Sequence, residues 1–180
     1  MNPAVSQTRD LARIALFAAI IAALGLIPAI PLPFLPVPIT AQTLGVMLAG
    51  AILGSRRGGA AVLIFLLLVA IGLPLLPGGR GGFGVFFGPT AGFLLSWPLG
   101  AFVIGLLMER FRERVNLFTA TLFNLAGGVA VIYAGGIAWL AFVAGVPFMG
   151  ALTGSAAFIP GDLIKAVVAA SVALTVHRAY

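Results

Sequence analysis

The sequence predicts an all-α integral membrane protein with six transmembrane helices and both termini in the cytoplasm. Hydrophobic residues make up 62% of its 180 residues and charged residues only 8%, with a mean hydropathy of +1.21. A soluble domain, by contrast, carries about 25% charged residues. The apolar residues form six segments, and arginines cluster in alternate intervals between them. This alternation indicates a chain that crosses a membrane repeatedly.

A transmembrane helix needs about 20 apolar residues, within a range of about 17–25. The six predicted helices span residues 11–30, 38–54, 59–76, 89–108, 116–140 and 156–176. At 18.4 kDa the chain leaves no room for a separate soluble module, so residues 1–180 are expected to form one membrane-embedded domain. We interpret the first apolar segment as a retained helix, because no cleavage pattern followed by a soluble domain comes after it.

The intervals between the helices contain residues that end helices. Four prolines in residues 31–38 predict a stiff apolar loop, because each proline lacks an amide donor and favours extended geometry in the residue before it. Six glycines surround Arg80 in residues 77–89, which predicts a second loop. Residues 145–147 contain a glycine and a proline and are expected to interrupt helical structure before the last helix. The absence of an internal repeat argues against inverted-repeat transporter folds.

The distribution of arginines predicts the orientation of the chain. Cytoplasmic loops are enriched in lysine and arginine, so the side with eight arginines is expected to be cytoplasmic. These eight are Arg9, Arg13, Arg56, Arg57, Arg110, Arg112, Arg114 and Arg178. The opposite loops carry only Arg80. The proline-rich loop, the glycine-rich loop and the start of the sixth helix are therefore expected to face outward.

Missing residue types exclude several chemistries. Cysteine is absent and His177, the single histidine, lies at the predicted cytoplasmic end, so no cluster for a metal is expected. Lys165 is the only lysine and stands between Ile164 and Ala166, so the chain has no Walker A loop for ATP. The basic residues form no face with interleaved aromatic residues, which argues against nucleic acid. We expect a binding protein without a cofactor, not an enzyme.

Three charged residues fall on the predicted outer side: Arg80, Asp162 and Lys165. A charge at bilayer depth costs roughly 2.5–3.5 kcal/mol on insertion scales, so it is tolerated mainly where it lines a cavity and meets a partner. Asp162 and Lys165 are three residues apart, on one face of a helix that Pro160 and Gly161 begin. They could simply neutralise each other to make the helix insertable. Arg80 leaves one cation in excess, however, which favours an anionic ligand.

Three neutral hydrogen-bonding side chains, Thr40, Gln42 and Thr43, stand at the outer end of the second helix. Thr40 could cap that helix or contact a ligand. Gln42 has an amide with two donors and one acceptor, a combination that suits a ureido or carboxamide group. The glycine-rich loop could be a flexible connection, or a lid that brings Arg80 over a ligand.

Helix one carries small residues at helical spacing. Ala15, Ala19 and Ala23 form successive small-xxx-small pairs, which let another helix approach closely. Such a stripe serves either internal packing or the docking of a partner.

Together these segments resemble the biotin-specific substrate-binding (S) components of energy-coupling-factor (ECF) transporters, the BioY family. The stretches that carry the resemblance are 36–44 (PVPITAQTL), 49–58 (AGAILGSRRG), 81–92 (GGFGVFFGPTAG), 128–135 (GVAVIYAG) and 160–166 (PGDLIKA). Phe65 and Phe93 stand where the family pattern suggests tyrosine, so hydroxyl contacts at these positions are not expected.

The resemblance implies a six-helix S-component bundle in the bacterial cytoplasmic membrane, with an outward-facing biotin pocket beneath the two outer loops. It also implies docking through helix one on a transmembrane coupling (T) subunit driven by two ATPase subunits. The expected biotin-binding residues are Arg80, Asp162, Lys165, Gln42, Thr40 and Tyr133, and the expected docking residues are Ala15, Ala19 and Ala23. Apart from the resemblance, four aromatic residues could either line the apolar part of the pocket or serve only in packing: Phe34, Phe86, Tyr133 and Trp139.

Two other classes of function stay open from the sequence. An ion-coupled secondary carrier for a small anionic vitamin would use Asp162 and Lys165 as a proton relay. A structural membrane subunit would bind no ligand. The sequence also leaves open which cation binds the carboxylate, whether the energising module is dedicated or shared, and whether the chain forms a homo-oligomer.

Overall fold

Eight α-helices and a β-hairpin make up the computed structural model, which describes residues 3–179, with side chains from residue 7 onward. The helices are α1 (Pro3–Leu24), α2 (Gln42–Leu53), α3 (Ser55–Ala70), α4 (Ala91–Arg110), α5 (Leu117–Leu125), α6 (Ile132–Phe142), α7 (Phe148–Ser155) and α8 (Ile159–Ala179). The hairpin strands are β1 (Ile30–Leu32) and β2 (Leu35–Ile39).

The predicted six-helix arrangement is confirmed, because two pairs of helices are continuous. A π-helical turn at Ala126–Val131 joins α5 to α6 into one helix over Leu117–Phe142. A 3-10 turn at Ala156–Phe158 joins α7 to α8 over Phe148–Ala179. Within the described residues, these two helices and α4 are the three that are long and apolar enough to cross a membrane by length and composition.

Several of the early helix boundaries differ from the prediction, and two of these differences have a clear local reason. α1 ends at Leu24, short of the predicted residue 30, where Gly25 turns the chain against Gln42. A β-carbon on Gly25 would lie 2.8 Å from the Gln42 amide nitrogen, so only glycine fits there. α3 begins at Ser55, before the predicted residue 59, because the Glu109 carboxylate accepts the Ser55 backbone N–H at 2.8 Å and satisfies a helix-end donor.

The proline-rich stretch, which was predicted to be a stiff apolar loop, is not helical and forms a β-hairpin. β1 and β2 are antiparallel, with Ile30 opposite Ile39 and Leu32 opposite Leu35. Prolines bias their neighbours toward extended backbone and are accepted in edge strands, where no donor is required. Leu35 and Val37 alternate inward and are buried, which fixes the hairpin on the bundle.

The last helical segment begins earlier than predicted. Residues 145–147 do interrupt helical structure, but α7 starts directly afterwards at Phe148 and continues into α8. Gly150 and Gly154 lower the intrinsic helix propensity of this stretch. Gly154 packs against Leu35 of the hairpin, so tertiary contact overrides that propensity.

α4 lies at the centre of the bundle, in contact with α2, α3 and α6. Its glycines allow backbones to meet: a β-carbon on Gly100 would lie 2.8 Å from the Gly127 carbonyl oxygen in the π-helical turn. Since lipid tails are as apolar as the protein core, such close packing contributes strongly to helix association.

The two ends of the bundle differ in charge. Arg57 at the start of α3 forms an ion pair with Asp10 of α1 at 2.8 Å, and Arg57, Arg112 and Arg178 line one cleft. The beginning of α1 and the end of α8 therefore lie at the same, arginine-rich end, as predicted. The hairpin, the glycine-rich loop and the start of α8 lie at the opposite end, around a separate cavity.

Candidate functional site

A cavity of about 60 Å³ lies at the outer end of the bundle. Its walls come from the hairpin and the start of α2, the glycine-rich loop, α4, α6 and the beginning of α8. All six predicted ligand-binding side chains contribute to the lining, namely Thr40, Gln42, Arg80, Tyr133, Asp162 and Lys165. The fold thus brings together residues that are far apart in the sequence.

Asp162 and Lys165 form an ion pair deep in this cavity. The Lys165 Nζ lies 2.8 Å from Asp162 Oδ1, and the side chains are only 15% and 5% exposed, respectively. Tyr133 donates its hydroxyl to Asp162 Oδ2 at 2.6 Å. Both oxygens of the carboxylate therefore have a partner, while Oδ2 keeps lone pairs that can accept a further donor.

The Lys165 ammonium has no donor to spare. Besides Asp162, it donates to the Thr40 carbonyl oxygen at 2.7 Å and to the Thr43 hydroxyl at 2.9 Å. The Thr43 hydroxyl in turn donates to Asp162 Oδ1 at 3.3 Å. Because an ammonium has three N–H donors, its capacity is filled by the protein. Thr40 takes part through its backbone and makes no side-chain cap for α2.

Gln42 is fully buried and oriented by the backbone of two other segments. Its Nε2 donates to the Ile21 carbonyl of α1 at 2.9 Å and to the Leu75 carbonyl at 3.1 Å. Its Oε1 has no hydrogen-bond partner in the described part of the chain. With both donors used, the amide can offer only an acceptor to a ligand.

Arg80 stands at the mouth of the cavity on the glycine-rich loop. Paired backbone hydrogen bonds between Leu76 and Arg80, at 3.0 and 3.2 Å, close a tight turn that Gly78 and Gly79 make possible with φ of 78° and 70°. The exposed Arg80 side chain donates through Nε to the Pro77 carbonyl at 3.4 Å. Its terminal guanidinium nitrogens bind no other described residue, which leaves a cation available to an anion.

The apolar wall of the cavity differs from the prediction. Its aromatic lining is Phe93, Trp97, Tyr133 and Phe158. Phe93, Tyr133 and Phe158 meet edge to face, with ring centroids 5.9–6.3 Å apart. Phe65 is fully buried behind this wall and stacks on Trp97.

Three of the four aromatic residues that could have lined the pocket lie outside it, so the alternative of packing or surface exposure holds for them. Phe34 is at the tip of the hairpin and 62% exposed. Phe86 lies in the 3-10 turn of the glycine-rich loop against Phe83. Trp139 donates its indole N–H to the Gly88 carbonyl at 3.0 Å and anchors the end of that loop to α6.

The expected biotin-binding residues did not include two threonines that line this cavity. Thr43 lies one residue after Gln42 in the stretch that the prediction used, and bridges both members of the ion pair. Thr90 lines the cavity just before α4, where a threonine is easily interpreted as a helix cap, yet it makes no side-chain cap hydrogen bond.

The alanine stripe of α1 lies on the outside of the bundle. Ala15, Ala19 and Ala23 are all exposed, whereas Phe17 and Ile21 between them are buried. Internal packing therefore does not account for the stripe.

The described residues contain no group of three histidine, aspartate or glutamate side chains placed to hold a metal. His177 lines the cleft at the cytoplasmic end, away from Asp162 in the outer cavity.

Comparisons with known proteins agree on one family. A sequence model of the BioY family matches residues 1–180. The chain is 60% identical to the biotin transporter BioY of Rhizobium etli over 97% of this chain and 96% of that protein. It is 52% identical to the biotin transporter BioY of Rhodobacter capsulatus, over 94% of each chain.

A solved structure matches as well. The crystal structure of the S-component for biotin from an ECF-type ABC transporter superposes with a TM-score of 0.93 and 35% identity, over 99% of this chain and 95% of that one. These similar proteins are transporters, in line with the prediction that the chain is not an enzyme. The chain is a multi-pass protein of the cytoplasmic membrane and belongs to the BioY family.

Proposed function

We propose that the protein captures biotin in the outer cavity and delivers it across the cytoplasmic membrane as the S component of an ECF-type transporter, with residues 1–180 acting as one domain. The observation that carries this proposal is the buried set of polar groups around Asp162. Its unused acceptors and the unpaired cation at the cavity mouth fit the two ends of biotin.

The ureido ring of biotin offers two N–H donors and one carbonyl acceptor. Asp162 Oδ2 and Gln42 Oε1 are acceptors with capacity left, and both are held in place by hydrogen bonds to other elements. The Thr90 hydroxyl lines the same cavity and can donate to the ureido oxygen. A ligand with this pattern satisfies a buried acceptor that otherwise costs stability.

Arg80 is the better candidate for the biotin carboxylate. Lys165 is committed to three protein acceptors, so binding a carboxylate there would require breaking one of these bonds. The Arg80 guanidinium has free donors in the planar arrangement that matches a carboxylate. Biotin would then lie with its rings inside and its carboxylate at the mouth.

Entry of biotin requires the outer loops to move. At about 60 Å³ the cavity is smaller than the ~300–1,000 Å³ usual for small-molecule sites. The glycine-rich loop has positive φ at three glycines and is anchored at its end by Trp139, which suits a lid that hinges. Binding would then be followed by closure of Arg80 over the carboxylate.

Energy for transport would come from partner proteins. The chain has no Walker A loop, so we infer docking on a T subunit coupled to two ATPase subunits. The exposed stripe of Ala15, Ala19 and Ala23 supports α1 as the docking face, since small residues permit contact between helix backbones.

Titration of purified protein with biotin by isothermal calorimetry tests the proposal. We expect saturable binding at one site, and no binding of a derivative whose ureido N–H groups are methylated. Absence of heat and of thermal stabilisation with biotin would overturn it. Uptake that collapses with an uncoupler while ATP is maintained would indicate instead an ion-coupled carrier that uses the Asp162 and Lys165 pair.

A further inference from the structure

A second cleft opens at the cytoplasmic end of the bundle. Its volume is about 600 Å³, against about 60 Å³ for the outer cavity. The turn between α2 and α3, the end of α4 with the residues that follow it, and the last turns of α8 form its walls. Its basic lining residues are Arg57, Arg112, His177 and Arg178.

Glu109 is the acidic residue among those that line the cleft, and it is already engaged. Its Oε1 accepts the Ser55 backbone N–H at 2.8 Å, and its Oε2 accepts the Ser55 hydroxyl at 2.8 Å. The carboxylate therefore holds the α2–α3 turn, where Gly54 adopts φ of 85°. It forms no ion pair with the arginines of the cleft in the described part of the chain.

Arg112 and Arg178 are exposed and unpaired. Arg57 shares its charge with Asp10, but neither Arg112 nor Arg178 makes a side-chain hydrogen bond or ion pair with any described residue. Each arginine by itself would serve as a topology signal. Topology does not require, however, that arginines from separate segments converge on one cleft.

The remaining walls are apolar. Ile52 of α2, Val115 before α5 and Leu174 of α8 line the same space as the arginines. A cleft with cations beside apolar walls, at the cytoplasmic end of a membrane protein, matches an amphiphile with an anionic head. A soluble anion would have no use for the apolar walls.

We propose that this cleft binds an anionic phospholipid of the cytoplasmic leaflet. The guanidinium groups of Arg112 and Arg178 contact its phosphate, and its acyl chains lie along Ile52 and Leu174. Arginine forms charge-assisted hydrogen bonds to phosphate oxygens in a fixed planar geometry. The site is distinct from the outer cavity and its test does not depend on biotin.

Retention of lipid by the purified full chain, measured by native mass spectrometry, tests this proposal. The probe is a mixture of phosphatidylglycerol and phosphatidylcholine with identical acyl chains. The cleft variant carries Arg112→Gln and Arg178→Gln. The matched control carries Arg110→Gln and Arg114→Gln, which remove two charges from the same end but outside the lining.

We expect the parent and the control to retain phosphatidylglycerol over phosphatidylcholine, and the cleft variant to retain about tenfold less of it. A variant with Arg112→Lys and Arg178→Lys keeps both positive charges and should retain more phosphatidylglycerol than the cleft variant. Such a partial recovery would show that the cleft variant does not lose lipid through misfolding. An equal loss in the cleft variant and the control would mean diffuse attraction and would overturn the proposal.

Two further results would also contradict it. Displacement of phosphatidylglycerol by inorganic phosphate at millimolar concentration would assign the cleft to a soluble phosphate. Unchanged lipid retention in the cleft variant, together with lost partner-dependent uptake, would assign the arginines to an acidic segment of a partner protein.

Discussion

The outer cavity and the cytoplasmic cleft both place basic residues near one acid, yet they use the charges differently. In the outer cavity, Asp162 is paired with Lys165, and every donor of that lysine is filled by the protein. In the cytoplasmic cleft, Glu109 is bound to Ser55, and the nearby arginines remain without an acidic partner in the lining.

This difference separates two kinds of recognition. A saturated, buried network has a fixed shape and accepts only ligands whose hydrogen-bonding groups fit its remaining acceptors. Exposed arginines in a wide cleft select by charge and tolerate variation in the rest of the ligand. The first arrangement suits one small molecule, and the second suits a class of molecules.

Substitution of the buried ion pair tests the first half of the comparison and should have the largest effect. Asp162→Ala and Lys165→Ala each leave an unpaired buried charge, which costs roughly 3–5 kcal/mol. We expect each to weaken biotin binding at least about tenfold and to lower the thermal midpoint, measured by calorimetric titration and thermal unfolding. Because the two residues interact directly, the double variant should lose less than the sum of the single losses.

Complete folding of each variant decides how the result is interpreted. If both single variants bind biotin as the parent does, in detergent and at a temperature at which each variant is fully folded, the ligand site lies outside this network.

A bulky residue on α1 tests whether the outer site works independently of the partner surface. Ala19→Trp places an indole on the exposed stripe and should reduce partner-dependent uptake at least about tenfold. The indole would keep the backbone of a partner helix from approaching that of α1. Ala15→Trp should act in the same way. Biotin binding by the purified variants should equal that of the parent, because the outer cavity does not include these residues.

Val172→Trp is the matched control, since Val172 is exposed on α8, a helix that does not pack closely against α1. Full uptake by both α1 variants would mean that the partner docks on a helix other than α1.

Removal of the cation at the cavity mouth should have an intermediate effect. A charge-assisted hydrogen bond contributes about 1.5–3 kcal/mol, so Arg80→Ala should shorten the residence time of biotin about tenfold or more. The association rate should change less if, as proposed, Arg80 meets the ligand only after the loop closes. Stopped-flow measurement of both rates checks this, with Arg56→Ala at the opposite end of the bundle as the control. An unchanged dissociation rate would mean that Arg80 does not contact bound biotin.

The exposed ion pair at the cytoplasmic end should show the smallest effect. Asp10 and Arg57 lie 2.8 Å apart but are 30% and 46% exposed. Such pairs contribute about 0–1 kcal/mol, so Asp10→Ala should lower the free energy of unfolding by no more than that. A loss as large as that of Asp162→Ala, in the same thermal unfolding assay, would mean that burial is not what distinguishes the two pairs.

The charged part of the outer site was predictable from the sequence because charge in a membrane is rare and costly. Arg80, Asp162 and Lys165 stand out in a chain with so few charged residues. Gln42 is uncharged, but it stands out because a polar amide is also costly to bury without a partner. In contrast, Phe93 and Phe158 resemble every other apolar residue of a chain that is 62% hydrophobic, so only the fold shows that they line the cavity.

Features that depend on tertiary contact were not predictable in the same way. The hairpin at residues 30–39 and helix α7 contain prolines or glycines that argue locally against regular structure, and both are held by packing on the bundle. The arginines of the cytoplasmic cleft were predicted one by one as topology signals. Their convergence results from the arrangement of α3, α4 and α8, which no local pattern encodes.

The spacing of Asp162 and Lys165 has a consequence for biogenesis. Because the two residues are three apart on α8, their ion pair can form as soon as that helix does, before the other helices assemble around it. The part of α8 that enters the bilayer then carries no net charge, because Arg178 lies at the cytoplasmic end, and this needs neither biotin nor the threonines that later complete the network. The two buried charges of the outer cavity would thus enter the membrane already paired, before the rest of that cavity is assembled.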